Sequence, residues 1–245
     1  MTEKKSIRDS IPKPERFHVI MQKGSHSSHM QIPEYMELYQ EGLYHVRMMD
    51  AADRRARFFH LTQLLRLTRG VKGETAEAGV FRGLSSWLIC KVLQEENPDF
   101  KGENHLMIDS FEGLSEPVEK DGAFPLKRFN EGGFTQTSVE RVQKSLSDFP
   151  DVEIHKGWIP DVFEKIPRKQ YRFVHVDVDV YEPTLASLRF FYEQLAPGAI
   201  IVVDDYGPWE GQNWPGCIKA VEEFAEEIGQ PFAILETGNV FFIKR

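Results

Sequence analysis

The stretch Phe173-Val-His-Val-Asp-Val-Asp-Val-Tyr181 is a run of β-branched apolar residues interrupted by acidic residues near its end. About twenty residues later, Ala199-Ile-Ile-Val-Val-Asp-Asp-Tyr-Gly207 repeats this pattern. Near-continuous apolar runs are typical of strands buried on both faces of a parallel sheet. Open α/β sheets bind ligands at the carboxyl ends of such strands. The two runs therefore predict an α/β fold with an acidic ligand site at one edge of its sheet.

Four carboxylates follow these two predicted strands, those of Asp177, Asp179, Asp204 and Asp205. At a separation of ~4 Å and an effective dielectric constant of ~20, each close pair repels by about 4 kcal/mol. A bound divalent cation is the simplest way to offset this repulsion. The pattern therefore indicates a metal-assisted active site.

The rest of the chain alternates strand-like and helix-like segments from about residue 75 onward. The predicted strands cover residues 75–80, 105–109, 152–156, 173–179, 199–203, 232–236 and 240–244. Alternating β and α segments are typical of a doubly wound, mostly parallel sheet, here with seven strands. The last two strands are separated by Thr-Gly-Asn, which predicts a hairpin and one antiparallel strand.

The sequence indicates a single domain over residues 34–245. Residues 34–69 carry helical patterns that precede the sheet and predict an N-terminal helical cap over its ligand edge. Residues 1–33 are polar and rich in Lys, Ser and His, a composition that predicts a flexible segment.

Composition restricts the class of protein. The net charge of −8 and the lack of a concentrated basic stripe argue against binding to nucleic acid or to an acidic membrane surface. The two cysteines, Cys90 and Cys217, are too few for a disulfide framework and are expected to be buried free thiols. No apolar run approaches 18 residues and the N-terminus lacks a signal-peptide core, so a cytoplasmic location is expected.

The first strand leads into a glycine-containing turn, Glu77-Ala-Gly-Val-Phe-Arg-Gly83, with Ser85 opening the next helix. Glycines let the backbone approach a ligand, and N–H groups at a helix start point toward it. Asp109, at the end of the second strand, is placed to hold the two hydroxyls of a ribose. Together these features predict a nucleoside-bearing cofactor, either S-adenosylmethionine or a nicotinamide dinucleotide. The turn departs from the G-x-G-x-x-G dinucleotide spacing.

Five motifs in order resemble the macrocin O-methyltransferase family. They are Glu77-Ala-Gly-Val-Phe-Arg-Gly83, Asp109-Ser-Phe-Glu-Gly-Leu114, Lys156-Gly-Trp158, Asp177-Val-Asp-Val-Tyr-Glu-Pro-Thr184, and Leu195-Ala-Pro-Gly198 with Val203-Asp-Asp-Tyr-Gly207. The resemblance implies a class I, S-adenosylmethionine-dependent methyltransferase that methylates hydroxyls on sugars of natural products.

The resemblance also implies roles for individual residues. The cofactor site would comprise Glu77, Gly79, Phe81, Gly83, Ser85, Asp109, Ser110, Ser138, Gly157 and Trp158. The metal ligands would be Asp177, Asp204 and Asp205. An all-oxygen ligand set suits Mg²⁺. His175 lies deeper in its strand and is interpreted as a core histidine rather than a ligand.

The general base is not fixed by these motifs. A base histidine is expected in the loop after the second acidic motif of macrolide-modifying relatives, but no histidine lies between His105 and His155. This departure argues against a macrolide acceptor more than against methyl transfer. The candidate catalytic residues are instead Asp177, Asp179 and Tyr206, or the metal site alone.

The expected acceptor is a hydroxylated small molecule such as a diol. Its pocket would be formed by the N-terminal helices and loop 112–136, with aromatic walls from Phe124, Phe129, Phe134 and Trp209. The family suggests a homo-oligomer. Two alternatives stay open at this point, a nicotinamide-dependent oxidoreductase and a cofactor-binding protein without catalytic activity.

Overall fold

The structure of the chain is a computed structural model that describes residues 32–122, 134–206 and 214–245. Its helices are α1 (Pro33–Val46), α2 (Ala52–Leu67), α3 (Leu84–Glu96), α4 (Val139–Ser145), α5 (Tyr181–Tyr192) and α6 (Pro215–Ile228). Its strands are β1 (Glu74–Ala78), β2 (His105–Asp109), β3 (Glu153–Lys156), β4 (Tyr171–Val176), β5 (Leu195–Val203), β6 (Ala233–Ile234) and β7 (Val240–Ile243). Two short 3₁₀ helices cover Glu119–Asp121 and Asp161–Lys165.

The seven strands form one sheet in the order β3-β2-β1-β4-β5-β7-β6. Strands β1 to β5 pair in parallel, and β7 is antiparallel to both of its neighbours. This arrangement confirms the predicted doubly wound, mostly parallel sheet with one antiparallel strand. The chain moves outward from β1 to β3 and then returns to β4, so the switch in strand order falls between β1 and β4. Ligands of open α/β sheets bind at such a switch.

Helices cover both faces of the sheet, and alternate residues of β4 point to opposite sides. Phe173 packs in the layer that contains α1, α2 and α3, and Val174 packs in the layer that contains α5 and α6. Trp87 is fully buried in the first layer, and Phe224 in the second. Burial on both faces explains why the central strands read as apolar runs without polar alternation.

The N-terminal helices α1 and α2 occupy the region predicted to be a helical cap, and α1 begins at Pro33. The flexible segment predicted for residues 1–33 lies almost entirely outside the described residues. The free thiols predicted at Cys90 and Cys217 are both buried. None of the helices described is both long and apolar enough to cross a membrane.

Strand β4 ends earlier than the sequence pattern predicts, at Val176 rather than Asp179. The residues that follow leave the strand conformation, and Asp179 adopts a left-handed backbone with φ of 64°. Asp177 and Asp179 therefore sit on a turn above the sheet edge instead of alternating on a strand.

Gly79 marks the closest approach between the ends of β1 and β4. Its φ is +87°, and a Cβ at this position would lie 1.8 Å from the Asp177 carbonyl oxygen. Only glycine meets both the positive φ and the lack of space. The loops that follow β1 and β4 are therefore held against each other at the switch point.

We predict that Gly79→Ala lowers the free energy of unfolding by more than about 3 kcal/mol, because the new methyl group overlaps backbone that cannot move cheaply. Gly70→Ala is the matched control, since Gly70 has a φ of +88° but nothing within 4 Å of the added carbon. The control should lose only about 1 kcal/mol, the cost of the left-handed backbone. Urea unfolding measures both values, and equal losses would contradict the close approach.

Candidate functional site

A cavity of about 430 Å³ opens at the carboxyl edge of the sheet. Most of the predicted site residues line it, namely Gly79, Phe81, Ser85, Asp109, Ser110, Gly157, Trp158, Asp177, Asp179 and Asp205. These residues come from the ends of β1, β2, β3, β4 and β5 and from the start of α3. The topology thus brings the glycine turn and the acidic motifs into one cavity.

Asp109 organises the turn that follows β1. Its Oδ2 accepts hydrogen bonds from the backbone N–H groups of Val80 and Phe81, at 2.7 and 2.9 Å. Its Oδ1 accepts from the N–H of Phe111 at 2.6 Å. Phe81 is held at a positive φ of 49°, in a region that side-chain-bearing residues rarely adopt. The acid predicted to bind a ribose therefore also fixes the shape of the turn over residues 79–83, the predicted cofactor turn.

The part of the cavity near β2 and β3 carries three of the predicted cofactor-site residues, Ser110, Gly157 and Trp158. The Ser110 hydroxyl donates to the Gly113 carbonyl at 2.8 Å, and the Gly157 N–H donates to the Asp109 carbonyl at 2.9 Å. Trp158 lines the cavity and is 38% exposed. A half-exposed indole can stack on a flat ring.

Five predicted site residues are not among those that line this cavity, namely Glu77, Gly83, Ser138, Asp204 and Tyr206. Gly83 is the N-cap of α3, and the Ser138 hydroxyl caps α4 by accepting from the Arg141 N–H at 3.2 Å. The Tyr206 hydroxyl donates to Glu222 at 3.3 Å, and its ring packs on Phe232. Glu77 is completely buried beneath the turn. Gly83 and Glu77 can act on the site only by supporting the turn.

The acidic motifs converge as the sequence predicts. Carboxylate oxygens of Asp177, Asp179 and Asp205 lie within 4.8 Å of one another, and a second group joins Asp177 to His175 and Asp204. Asp179 and Asp205 both have positive φ, 64° and 51°. Backbone held in this region by the surrounding structure is found most often at functional sites. Asp177 belongs to both groups, and Asp205 belongs to the one that faces the cavity.

Arg57 is a functional residue that the sequence reasoning missed. Its Nη1 lies 2.7 Å from Asp204 Oδ2 and 3.6 Å from Asp205 Oδ1, and its side chain is only 14% exposed. Asn239 donates a further hydrogen bond to Asp204. Arg57 therefore offsets part of the negative charge of the carboxylates, whereas the sequence analysis attributed this compensation to a bound cation. It lies 147 residues before Asp204, so no local motif connects the two.

Of the four residues predicted to form aromatic walls, Phe134 is described by the structure. Phe134, predicted as an aromatic wall, lines the cavity and packs edge-on against Phe81 at 5.3 Å. Phe124, Phe129 and Trp209 lie outside the described residues. Helix α2 contributes Phe58 as well as its arginines, so the N-terminal cap does reach the ligand edge.

A buried polar network runs beneath the cofactor turn. Glu77 accepts from the Ser86 hydroxyl and pairs with His175 Nδ1 at 2.7 Å. Ser86 in turn contacts His105 Nε2 at 3.1 Å, and His105 Nδ1 contacts the Thr75 hydroxyl at 2.8 Å. All five side chains are buried. The network links β1, β2, β4 and α3, and it places His175 in the core, as the sequence interpretation expected.

We predict that Glu77→Gln lowers the free energy of unfolding by about 2 to 3 kcal/mol, because an amide can no longer accept from both buried partners. The control is Glu74→Gln on the same strand, where the carboxylate pairs with a partly exposed Lys169 at 3.0 Å. That change should cost less than about 1 kcal/mol. Urea unfolding of both variants makes the comparison, and similar losses would refute a structural role for the network.

His105 predicts a pH dependence of stability. Burial lowers its pKa to about 4 from an ordinary 6.5. The unfolded chain therefore binds the proton more tightly, and about 3 kcal/mol of stability, present above pH 6.5, is lost as pH falls toward 4. The unfolding free energy of His105→Asn, measured by urea at several pH values, should fall less steeply over this range. An unchanged slope would show that His105 does not carry the effect.

The fold and the site define a class I methyltransferase arrangement. The solved structure of the O-methyltransferase NovP is similar, with a TM-score of 0.69 at 20% sequence identity. The match covers 89% of this chain and 99% of that protein. At this level of identity the likeness establishes the fold.

The family follows from the sequence comparison. The family model described as macrocin O-methyltransferase (TylF) matches residues 45–244. The chain therefore belongs to the macrocin O-methyltransferase family, which confirms the resemblance inferred from the five motifs. Membership in a methyltransferase family rejects the nicotinamide alternative.

Two curated relatives are enzymes of Streptomyces. The 8-demethyl-8-(2,3-dimethoxy-alpha-L-rhamnosyl)-tetracenomycin-C 4'-O-methyltransferase of Streptomyces olivaceus is 26% identical over 184 residues, 72% of this chain and 67% of that protein. The demethyldecarbamoylnovobiocin O-methyltransferase of Streptomyces niveus is 27% identical over 162 residues, 63% of this chain and 58% of that protein. The chain thus aligns with about three fifths to two thirds of the length of these relatives.

Proposed function

We propose that this protein transfers the methyl group of S-adenosylmethionine to a hydroxyl of a small molecule, with the help of a divalent cation. The observation that carries the proposal is the shared cavity, in which the glycine turn and the acid cluster of Asp177, Asp179 and Asp205 face the same space. Family membership supports the methyl transfer. The names of the two curated relatives, both O-methyltransferases of natural products, support a hydroxyl acceptor.

The cavity fits the proposed cofactor. Asp109 lies at the end of β2, where an acid can hold ribose hydroxyls, and Trp158 offers a face for the adenine. Gly79 has no side chain, so a ligand can approach the backbone of the turn closely, and Ser85 lies in the first turn of α3. We therefore propose that the adenosine lies near β2 and β3, and the sulfonium methyl group near the acids at the end of β4.

The acid cluster fits a hard divalent cation such as Mg²⁺. Mg²⁺ is bound through one or two carboxylates together with water and substrate oxygens. Asp177 and Asp205 are common to the sequence prediction and to the cavity-facing cluster, and we propose them as ligands. There are two candidates for the third carboxylate ligand of the cation. The family resemblance favours Asp204. The geometry favours Asp179, because Asp204 is already bound by Arg57 and Asn239.

Methyl transfer from a sulfonium is an in-line displacement, in which the acceptor oxygen attacks the methyl carbon and the thioether leaves. A divalent cation, when bound, lowers the pKa of a coordinated hydroxyl and fixes its position. The chain must still accept the proton, and Asp179, if Asp204 rather than Asp179 is the third cation ligand, is the candidate base that lines the cavity. Tyr206, the other candidate, is directed to Glu222 on α6 and away from the cavity lining.

We predict that Asp177→Asn weakens Mg²⁺ binding by at least about tenfold, because it removes a charged ligand common to both acidic groups. Affinity for S-adenosylhomocysteine should stay within about twofold, since the cofactor turn is unchanged. Calorimetric titration measures both affinities. The control is Asp99→Asn at an exposed site in the loop after α3. Mg²⁺ binding equal to that of the wild type would contradict the cation site.

The third ligand is identified by comparing Asp179→Asn with Asp204→Asn in the same titration. The variant that loses cation affinity carries the ligand. If both variants bind Mg²⁺ as tightly as the wild type while Asp177→Asn does not, the cation is held by Asp177 and Asp205 without a third carboxylate.

A further inference from the structure

Several described arginines away from the cavity pair with carboxylates, as in Arg66–Glu95, Arg172–Glu96 and Arg189–Glu227. Such pairing is expected in a chain with 38 acidic residues and a net charge of −8. An arginine that lines the cavity and meets no described carboxylate is therefore a candidate to bind an anionic ligand.

Arg54 and Arg82 line the cavity, and Arg141 lies beside Arg82; all three are half-buried. Among the carboxylates whose side chains the structure describes, none forms an ion pair with any of the three. Arg54 donates to the Met49 carbonyl at 2.8 Å. Arg82 and Arg141 both donate to the Gln136 carbonyl, at 3.4 and 3.3 Å, so their guanidinium groups lie close together.

These guanidinium groups act on one another. Burial lowers the pKa of Arg82, and the positive charges of Arg141 and Arg54 lower it further. Each guanidinium has five N–H donors, and carbonyl oxygens use only some of them. Like charges held together without a counter-ion are unfavourable, and an anion placed between them would offset the repulsion.

Two of these three arginines face the cavity. Arg54 and Arg82 both line it, Arg54 from α2 and Arg82 from the turn after β1. Arg57 lies three residues after Arg54, on the same side of α2, and is already paired with Asp204 and Asp205. Helix α2 therefore presents Arg57 to the acid cluster and Arg54 to the cavity, and among the described side chains Arg54 meets no carboxylate.

We propose that Arg54 and Arg82 bind an anionic group, a phosphate or a carboxylate, on the acceptor. The inference rests on the proposed function and deepens it, because it makes the acceptor an anionic hydroxylated molecule. Guanidinium groups bind phosphate and carboxylate through two parallel hydrogen bonds, which also orient the bound molecule. The anion is held at the arginine side while a hydroxyl reaches the acid cluster.

The test is a calorimetric titration of the protein, saturated with S-adenosylhomocysteine, with inorganic pyrophosphate and separately with malonate. We expect at least one of these anions to bind, and the tighter one identifies the chemistry. The Arg54→Gln/Arg82→Gln variant should weaken that binding by about tenfold or more. The control, Arg168→Gln, alters an exposed arginine paired with Glu193 and should change nothing. If neither anion binds, or if the double variant binds as well as the wild type, the proposal is wrong.

The carboxylate of the cofactor itself is the other source of an anion. Titration with S-adenosylhomocysteine and with 5'-methylthioadenosine, which lacks the amino-acid portion, separates the two sources. The double variant should keep its affinity for both compounds. A loss confined to S-adenosylhomocysteine would assign the arginines to the cofactor and overturn the proposal. Failure of the wild type to bind S-adenosylhomocysteine would instead refute the proposed function, on which the inference rests.

Discussion

The close approach of β1 and β4 at Gly79 is the constraint on which the site depends. Parallel neighbours at a switch point diverge in their connections, and a ligand cavity forms only if the two following loops stay together. Gly79 lets the backbone after β1 touch the carbonyl of Asp177. The same contact therefore positions the cofactor turn and the first of the clustered acids.

Charge balance decides how the acid cluster is tolerated. The sequence alone attributes the compensation of four carboxylates to a metal ion. In the structure Arg57 takes part of that role at Asp204, while Asp177, Asp179 and Asp205 remain grouped toward the cavity. The two sources of positive charge are compatible, because Arg57 lies closest to Asp204, at 2.7 Å, and approaches Asp205 only to 3.6 Å. The fold can thus form around Arg57, and the proposed cation would act mainly on Asp177, Asp179 and Asp205.

The fold was predictable because its signals are local. Apolar runs such as residues 173–176, the Pro183-containing start of α5 and the Thr-Gly-Asn hairpin each identify an element from a few neighbouring residues. The end of β4, at Val176, was predicted too late in the chain. The alternation of valine with polar residues continues past Val176 into a segment where Asp179 has left-handed backbone. Periodicity does not distinguish a strand from the turn that leaves it.

The site was predictable where residues follow strand ends, as for Asp109, Gly157 and Asp177. Arg57 and the partners of Glu77 were not, because their contacts join residues far apart in sequence and carry no motif. Glu77 shows what sequence reasoning misses. The motif that contains Glu77 was recognised, but its buried hydrogen bonds to Ser86 and His175 were not. The same holds for Tyr206, whose direction is set by Glu222 on α6.

The measurement that tests the central claim most directly is calorimetric titration of the purified protein with S-adenosylhomocysteine, with and without Mg²⁺. A methyltransferase cofactor site built by Gly79, Asp109 and Trp158 predicts micromolar binding in both conditions, because none of these residues needs the cation. Absence of binding in both conditions would contradict the account.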